Sequence, residues 1–190
     1  KSAATYADAF LTVSEITANE CRYLLGREVT RITPNGFEND FVPQGEALEA
    51  VRNASRKRII EIAEAAWDYN FSNDPLIVAT SGRYEYRNKG IDVFLESLKQ
   101  LAASHIDRDV VALIAVPAAN MGARQDLVAH LADANSAIDP SKKRYLTHNL
   151  ENEAWDQVCQ SIEGSILSTT ASRVKVLFVP TYLNGNDGIF

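Results

Sequence analysis

Three stretches of the chain are nearly continuous in apolar residues and short enough to be buried strands: Leu76-Ile77-Val78-Ala79-Thr80, residues 109–116, and Val174 to Val179. Between them the period changes. Ile91, Val93, Phe94, Leu98 and Leu101 recur at helical spacing, which predicts a helix over 91–103. Further helices are expected over 122–134 and over 151–167, the latter with Trp155, Cys159, Ile162 and Ile166 on one face. Leu48, Val51, Ile59, Ile62, Ala63 and Ala66 are the apolar positions of a long helix over 46–67. Strands that alternate with helices in this way predict an α/β fold, a parallel sheet with helices on both faces.

The first forty residues read differently. Phe10 to Val13 is a short strand. Ser14 can cap a helix over Glu15 to Leu25, and Gly26 stops it. Val29 to Ile32 is a second strand, and Thr33-Pro34-Asn35-Gly36 reads as a turn in which Gly36 is free to take positive φ.

Composition narrows the class. The 190 residues are 46% hydrophobic and 23% charged, as in a globular protein, with a net charge of −6 that argues against non-specific nucleic-acid binding. No apolar run approaches the ~20 residues that span a bilayer. No basic segment followed by an apolar one opens the chain. Cys21 and Cys159 lack a CxxC partner and read as buried free thiols. These features, with the acidic balance, fit a cytoplasmic protein. The start at Lys1 and the turn-rich end from Leu183 to Phe190 read as a piece of a longer protein.

The candidate chemistry lies in SGRYEYRNKG, Ser81 to Gly90, between the 76–80 strand and the 91–103 helix. Such a loop opens on the crevice where ligands bind in an open α/β sheet. Arg83 is a planar fork suited to phosphate oxygens, and Lys89 adds a point charge. Gly82 and Gly90 flank them, and the helix N-terminus is expected to add backbone N–H groups. Together these make a cradle for a diphosphate. The same residues also suit an ordinary polar connection with solvated charges.

The segment GRYEYRNKGIDVFLESL is similar to the start of the C-terminal domain of glycogen synthases of the animal and fungal type, glycosyltransferase family 3, which has bacterial members. Phe10 to Thr17, Thr33 to Gly36, Thr147-His148-Asn149 and Arg173 to Val176 also resemble that family, whereas residues 120–143 match it poorly. The resemblance implies a GT-B fold of two Rossmann-like domains. Residues 1–40 would end the N-terminal, acceptor-side domain, with Asn35 and Gly36 in the interdomain turn. Residues 41–190 would begin the C-terminal donor-nucleotide domain. Arg83 and Lys89 would hold the donor's phosphates, and Tyr182 would lie beside the nucleobase. The full protein would transfer glucose, with retention, from UDP-glucose or ADP-glucose to the non-reducing end of an α-1,4-glucan, and could be a homo-oligomer.

Transfer of this kind needs a stabilised leaving diphosphate and an aligned acceptor, and the leaving phosphate can itself serve as base. No metal, cofactor, nucleic acid or membrane is expected as a partner. His105, His130 and His148 show no ligand spacing and suit structural or surface roles, His148 being the one to test. The family's paired carboxylates stand eight positions apart, a spacing that Glu20 and Glu28 show here. Glu20 falls inside a helix without the family's flanking sequence, so the pair is rejected and no catalytic residue is expected within these 190 residues. The piece alone is expected to be inactive. The alternatives are another retaining GT-B glycosyltransferase, or a non-catalytic protein that binds nucleotide or glucan. Tyr84 and Tyr86 are expected to pack into the core.

Overall fold

A computed structural model describes residues 2–190. The chain divides into two compact units, one ending at Leu48 and the other covering Glu49–Phe190.

The first unit contains α1 (Ser2–Tyr6), β1 (Leu11–Thr12), α2 (Glu15–Leu25), β2 (Arg31–Ile32) and a 3-10 turn at Asn39–Phe41. β1 and β2 pair in parallel. The Ser14 hydroxyl accepts the Thr17 N–H at 3.2 Å, and Gly26 closes α2 at φ 71° by donating to Arg22 O. The expected turn at 33–36 is absent. Thr33 N–H instead donates to Thr12 O at 2.8 Å, which prolongs the β1–β2 pairing, and Gly36 does not take positive φ. Cys21 is only half-buried, because α2 buries little besides Ala18.

The second unit is built on a parallel sheet in the order β3 (Leu76–Ser81), β4 (Val110–Ala115), β7 (Val174–Val179). Leu76, Val110 and Val174 lie in one row, and Ser81, Ala115 and Val179 in another, so all three strands end in line. The helix α3 (Gly45–Trp67) delivers Ile62, Ala63, Ala66 and Trp67 to one face of the sheet, and Trp67 Nε1 donates to Val176 O at 2.9 Å. The helices α4 (Ile91–Ala103) and α6 (Gln157–Ile162) pack together over the other face. The fold is therefore α/β with a parallel sheet covered on both sides.

β4 and β7 are buried along almost their whole length, as their apolar runs predict. β3 is half-exposed, because it forms the end of the sheet and pairs only with β4 among the described residues. The far edge of β7 is closed by residues 145–147: Phe178 N–H donates to Tyr145 O at 2.6 Å and Thr147 N–H to Phe178 O at 3.1 Å.

Two helix expectations change. Residues 120–134 begin as β5 (Asn120–Ala123), antiparallel to β6 (His148–Leu150), and only Gln125–Ala132 forms the helix α5. The strand wins because β6 offers a partner to a segment in which Gly122 weakens helix. Residues 151–167 break into a 3-10 turn at Glu153–Trp155, the short α6, and a second 3-10 turn at Ile166–Ser168. Asp156 opens α6 by capping Cys159 N–H at 2.9 Å, and Gly164, at positive φ, separates α6 from the second 3-10 turn. Hence Cys159 and Ile162 are buried while Trp155 is 80% exposed. No helix among the described residues is long and apolar enough to cross a membrane.

Candidate nucleotide-diphosphate site

The loop from Gly82 to Gly90 leaves β3 at the C-terminal edge of the sheet. Gly82 N–H continues the ladder to Ala115 O at 3.4 Å. The chain then coils back on itself: Lys89 N–H reaches Glu85 O at 2.9 Å and Gly90 N–H reaches Arg87 O at 3.0 Å. Gly90 sits at φ 67° immediately before α4, a left-handed conformation that makes glycine the natural residue there.

This geometry sends the cationic side chains outward. Arg83 is 77% exposed, and its Nε meets Glu85 Oε1 at 3.1 Å. Among the described residues its two terminal nitrogens have no hydrogen-bond partner, and the exposed Lys89 ammonium has no ion-pair partner. Arg87 is also exposed on this loop; in the sequence nothing sets it apart from any other solvated charge. Three cations thus stand within seven residues at one sheet edge, with a single carboxylate, Glu85, among them.

The helix N-terminus contributes less than expected. Ile91 and Asp92 N–H both donate to Tyr86 O, at 3.0 and 3.2 Å, and Val93 N–H donates to Asp92 Oδ1 at 2.9 Å. The left-handed turn at Gly90 brings the Tyr86 carbonyl back over the helix end, so the first free N–H groups are already engaged. Anion binding here falls to side chains, reinforced only by the helix dipole.

Tyr84 points inward. Its hydroxyl donates to Asp156 Oδ2 at 2.6 Å and accepts from Val158 N–H at 3.2 Å. Its ring stands edge-on to Phe178 with centroids 6.2 Å apart. Burial, with Asp156 alongside, pushes the phenol well above its ordinary range, so it remains a neutral donor. Tyr86 is half-buried and also packs against the core.

Tyr182 lies just past β7 and is 76% exposed. Pro180 O is held by Ala118 N–H at 3.1 Å and Asn120 Nδ2 at 2.8 Å, which fixes where the segment leaves the sheet. Because the strands end in register, the Arg83 loop and the Tyr182 segment emerge at the same edge, two strand spacings or roughly 10 Å apart. Asn35 and Gly36 lie in the first unit.

The histidines are structural or superficial. His148 is 2% exposed, with Nε2 3.4 Å from Asp187 Oδ2 and Nδ1 2.9 Å from Thr147 Oγ1. Burial lowers its pKa despite the opposing pull of Asp187. Asp187 also accepts the N–H groups of Ile189 and Phe190, so the pair pins the 187–190 segment. His130 Nδ1 lies 2.7 Å from Ser136 O, and His105 stands in solvent beside Asp107. Glu28 is taken up by Arg22 within the first unit.

A cleft of about 630 Å³ lies at the opposite edge, where the strands begin. It contains Arg56 and Arg108, but both are bound to Asp74, at 2.6 and 3.1 Å. Arg52, also in the cleft, lies 3.7 Å from Glu49, so each of its arginines already meets a carboxylate and it is a weaker anion site than the loop.

Comparison with known proteins agrees with the resemblance carried by Phe10 to Thr17, Thr33 to Gly36 and the 82–98 segment. The model of the glycogen synthase family matches residues 1–139. Glycogen [starch] synthase isoform 2 of Saccharomyces cerevisiae is 26% identical over 254 aligned positions, covering all of this chain and 36% of the yeast protein. The Dictyostelium discoideum glycogen [starch] synthase is 38% identical over 130 positions, covering 63% of this chain and 14% of that protein. The liver glycogen [starch] synthase of Homo sapiens is 35% identical over 98 positions, covering half of this chain and 14% of that protein. The chain spans about a third of the length of the yeast relative. With a family match over most of its length, and an α/β unit whose exposed cations gather at one sheet edge, the chain belongs to the glycogen synthase family.

Proposed function

We propose that this chain carries the donor-phosphate side of a glycogen synthase of GT-B architecture. Residues 1–40 close its acceptor-side domain and residues 41–190 open its nucleotide domain. The whole protein transfers glucose from UDP-glucose or ADP-glucose to the non-reducing end of an α-1,4-glucan, with retention, in the cytoplasm. The single observation that carries the reading is the pair of Arg83 and Lys89. The two terminal nitrogens of Arg83 and the Lys89 ammonium have no protein partner among the described residues, and they sit on the loop after β3, at the sheet's C-terminal edge.

As the sugar–phosphate bond breaks, negative charge grows on the leaving diphosphate. Arg83 meets it with a two-pronged donor and Lys89 with a point charge. Glu85 holds Arg83 by Nε, which leaves both terminal nitrogens to face phosphate. Tyr182 offers a ring on which the donor's base can stack. The acceptor glucan and the paired carboxylates belong to parts of the protein outside residues 1–190, so this chain alone has no transferase activity.

Calorimetric titration tests the reading. UDP or ADP is expected to bind, and Arg83→Ala to weaken the tighter of the two about a hundredfold, as when one partner of a charged, bidentate contact is removed. Preference for ADP over UDP selects the donor without moving the site. Equal affinity in the parent chain and Arg83→Ala contradicts the assignment.

A further inference from the structure

We propose that Tyr84 is the positioning residue of the diphosphate loop, holding Arg83 at the sheet edge by locking the loop onto the start of α6. The proposal rests on the reading of Arg83 and Lys89 as phosphate ligands.

Backbone bonds coil the loop and Tyr86 packs its C-terminal half against the core, but few side chains hold the part around Arg83. Ser81 to Arg83 and Arg87 to Lys89 are exposed, so neither flank is held by packing. Between them Tyr84 reaches across to a different part of the chain. Its hydroxyl bridges Asp156 Oδ2 and the Val158 N–H. The other Asp156 oxygen is occupied by Cys159 N–H, so the acceptor is itself fixed. The ring closes against Phe178, a fully buried residue of β7. One side chain therefore ties the residue next to Arg83 to both a helix start and the central sheet.

Tyr84 is half-buried and its hydroxyl is already taken up by Asp156 and Val158, so it acts through Arg83. An arginine that is 77% exposed would otherwise sample many directions, and ordering it on binding costs conformational entropy. A tethered backbone removes part of that cost before the ligand arrives. Phosphate recognition should then depend on Tyr84, and recognition of the nucleoside should not.

The test compares UDP with uridine on the parent chain, Tyr84→Phe, Asp156→Ala and Arg83→Ala. Tyr84→Phe keeps the ring contact with Phe178 and removes only the hydroxyl. It is expected to weaken UDP about tenfold while uridine binds as before. Asp156→Ala removes the same tether from the other side and should give the same selective loss, which covers the case in which Tyr84→Phe fails to fold. Trp155, exposed and one residue before Asp156, supplies a second readout: UDP should change its emission in the parent chain and not in Tyr84→Phe. Unchanged UDP affinity in Tyr84→Phe, or an equal loss of UDP and uridine, overturns the proposal. If Arg83→Ala loses UDP and Tyr84→Phe does not, the positioning role falls alone. If Arg83→Ala keeps UDP, the phosphate reading falls and takes the positioning role with it.

Discussion

Arg124→Ala is expected to destabilise the second unit by about 3–5 kcal/mol, the cost of stripping one partner from a buried ion pair. Arg124 is 1% exposed. Its Nε and Nη2 grip the two oxygens of Asp126, and its Nη1 donates to Lys143 O at 2.9 Å and Leu146 O at 3.0 Å. Asp126 in turn accepts the Asp139 N–H at 3.1 Å. Burial pushes the Asp126 carboxyl upward, but Arg124 outweighs it and holds the group below its usual range. Removing the guanidinium leaves, among the described residues, the Asp126 carboxylate with no cation, Lys143 O with only the Leu146 N–H, and Leu146 O with no donor. The damage extends beyond the pair, because the carbonyl of Leu146 belongs to the segment that closes the edge of β7. Urea denaturation of the variant should give a midpoint far below that of the parent. A loss under about 1 kcal/mol, the scale of a surface pair, contradicts this account.

Lys175→Met is expected to reveal a charge buried at a cost. Lys175 is fully buried on β7, with Nζ donating to Thr170 O at 2.7 Å and Ser172 O at 2.6 Å and lying 4.1 Å from the centre of the Tyr69 ring. Trp67 covers it at 5.2 Å. Burial lowers its pKa to about 8, with Asp109 opposing the shift and Arg144 adding to it. Below pH 8 the ammonium is charged in both the folded and the unfolded chain. Between pH 8 and the unfolded lysine's 10.5 the unfolded chain holds the extra proton, so this group's contribution to stability rises with pH. The gap between those two values corresponds to about 3 kcal/mol.

Tyr84, Tyr145 and Cys159 act in the opposite direction. Burial raises all three, so the folded chain keeps protons that the unfolded chain releases, and stability falls as pH climbs past their unfolded values. Subtracting the Lys175→Met profile removes what the two proteins share. The stability of the parent relative to the variant should therefore rise by roughly 2–3 kcal/mol between pH 7 and pH 10. A flat difference contradicts a neutralising Lys175.

β3, β4 and β7 were legible because they are short, apolar and bounded by turn residues. Val174 to Val179 even tolerates Lys175, whose burial no sequence pattern announces. α2 was legible down to its caps, since Ser14 and Gly26 act within a few residues of themselves. What failed depended on partners distant in sequence. β5 exists because β6 lies beside it, and the 151–167 segment breaks where Asp156 caps a new helix and Gly164 turns left-handed. The exposure of β3 reflects its place at the end of the sheet, which its apolar composition conceals.

The site divides in the same way. Arg83 and Lys89 could be picked out from residue type and loop position. The capture of the α4 N–H groups by Tyr86 could not, because it arises from a left-handed Gly90 folding the loop back. Nor could the link from Tyr84 to Asp156, which spans 72 positions in the chain.

Mapping UDP onto the backbone amides of this chain by heteronuclear NMR tests the central claim most directly. The account predicts that UDP shifts the amides of Gly82 to Gly90 first, with a second cluster around Tyr182, and that Arg83→Ala erases the first cluster. Shifts confined to Arg56, Asp74 and Arg108, at the opposite edge of the sheet, with none in the 82–90 loop, would contradict it.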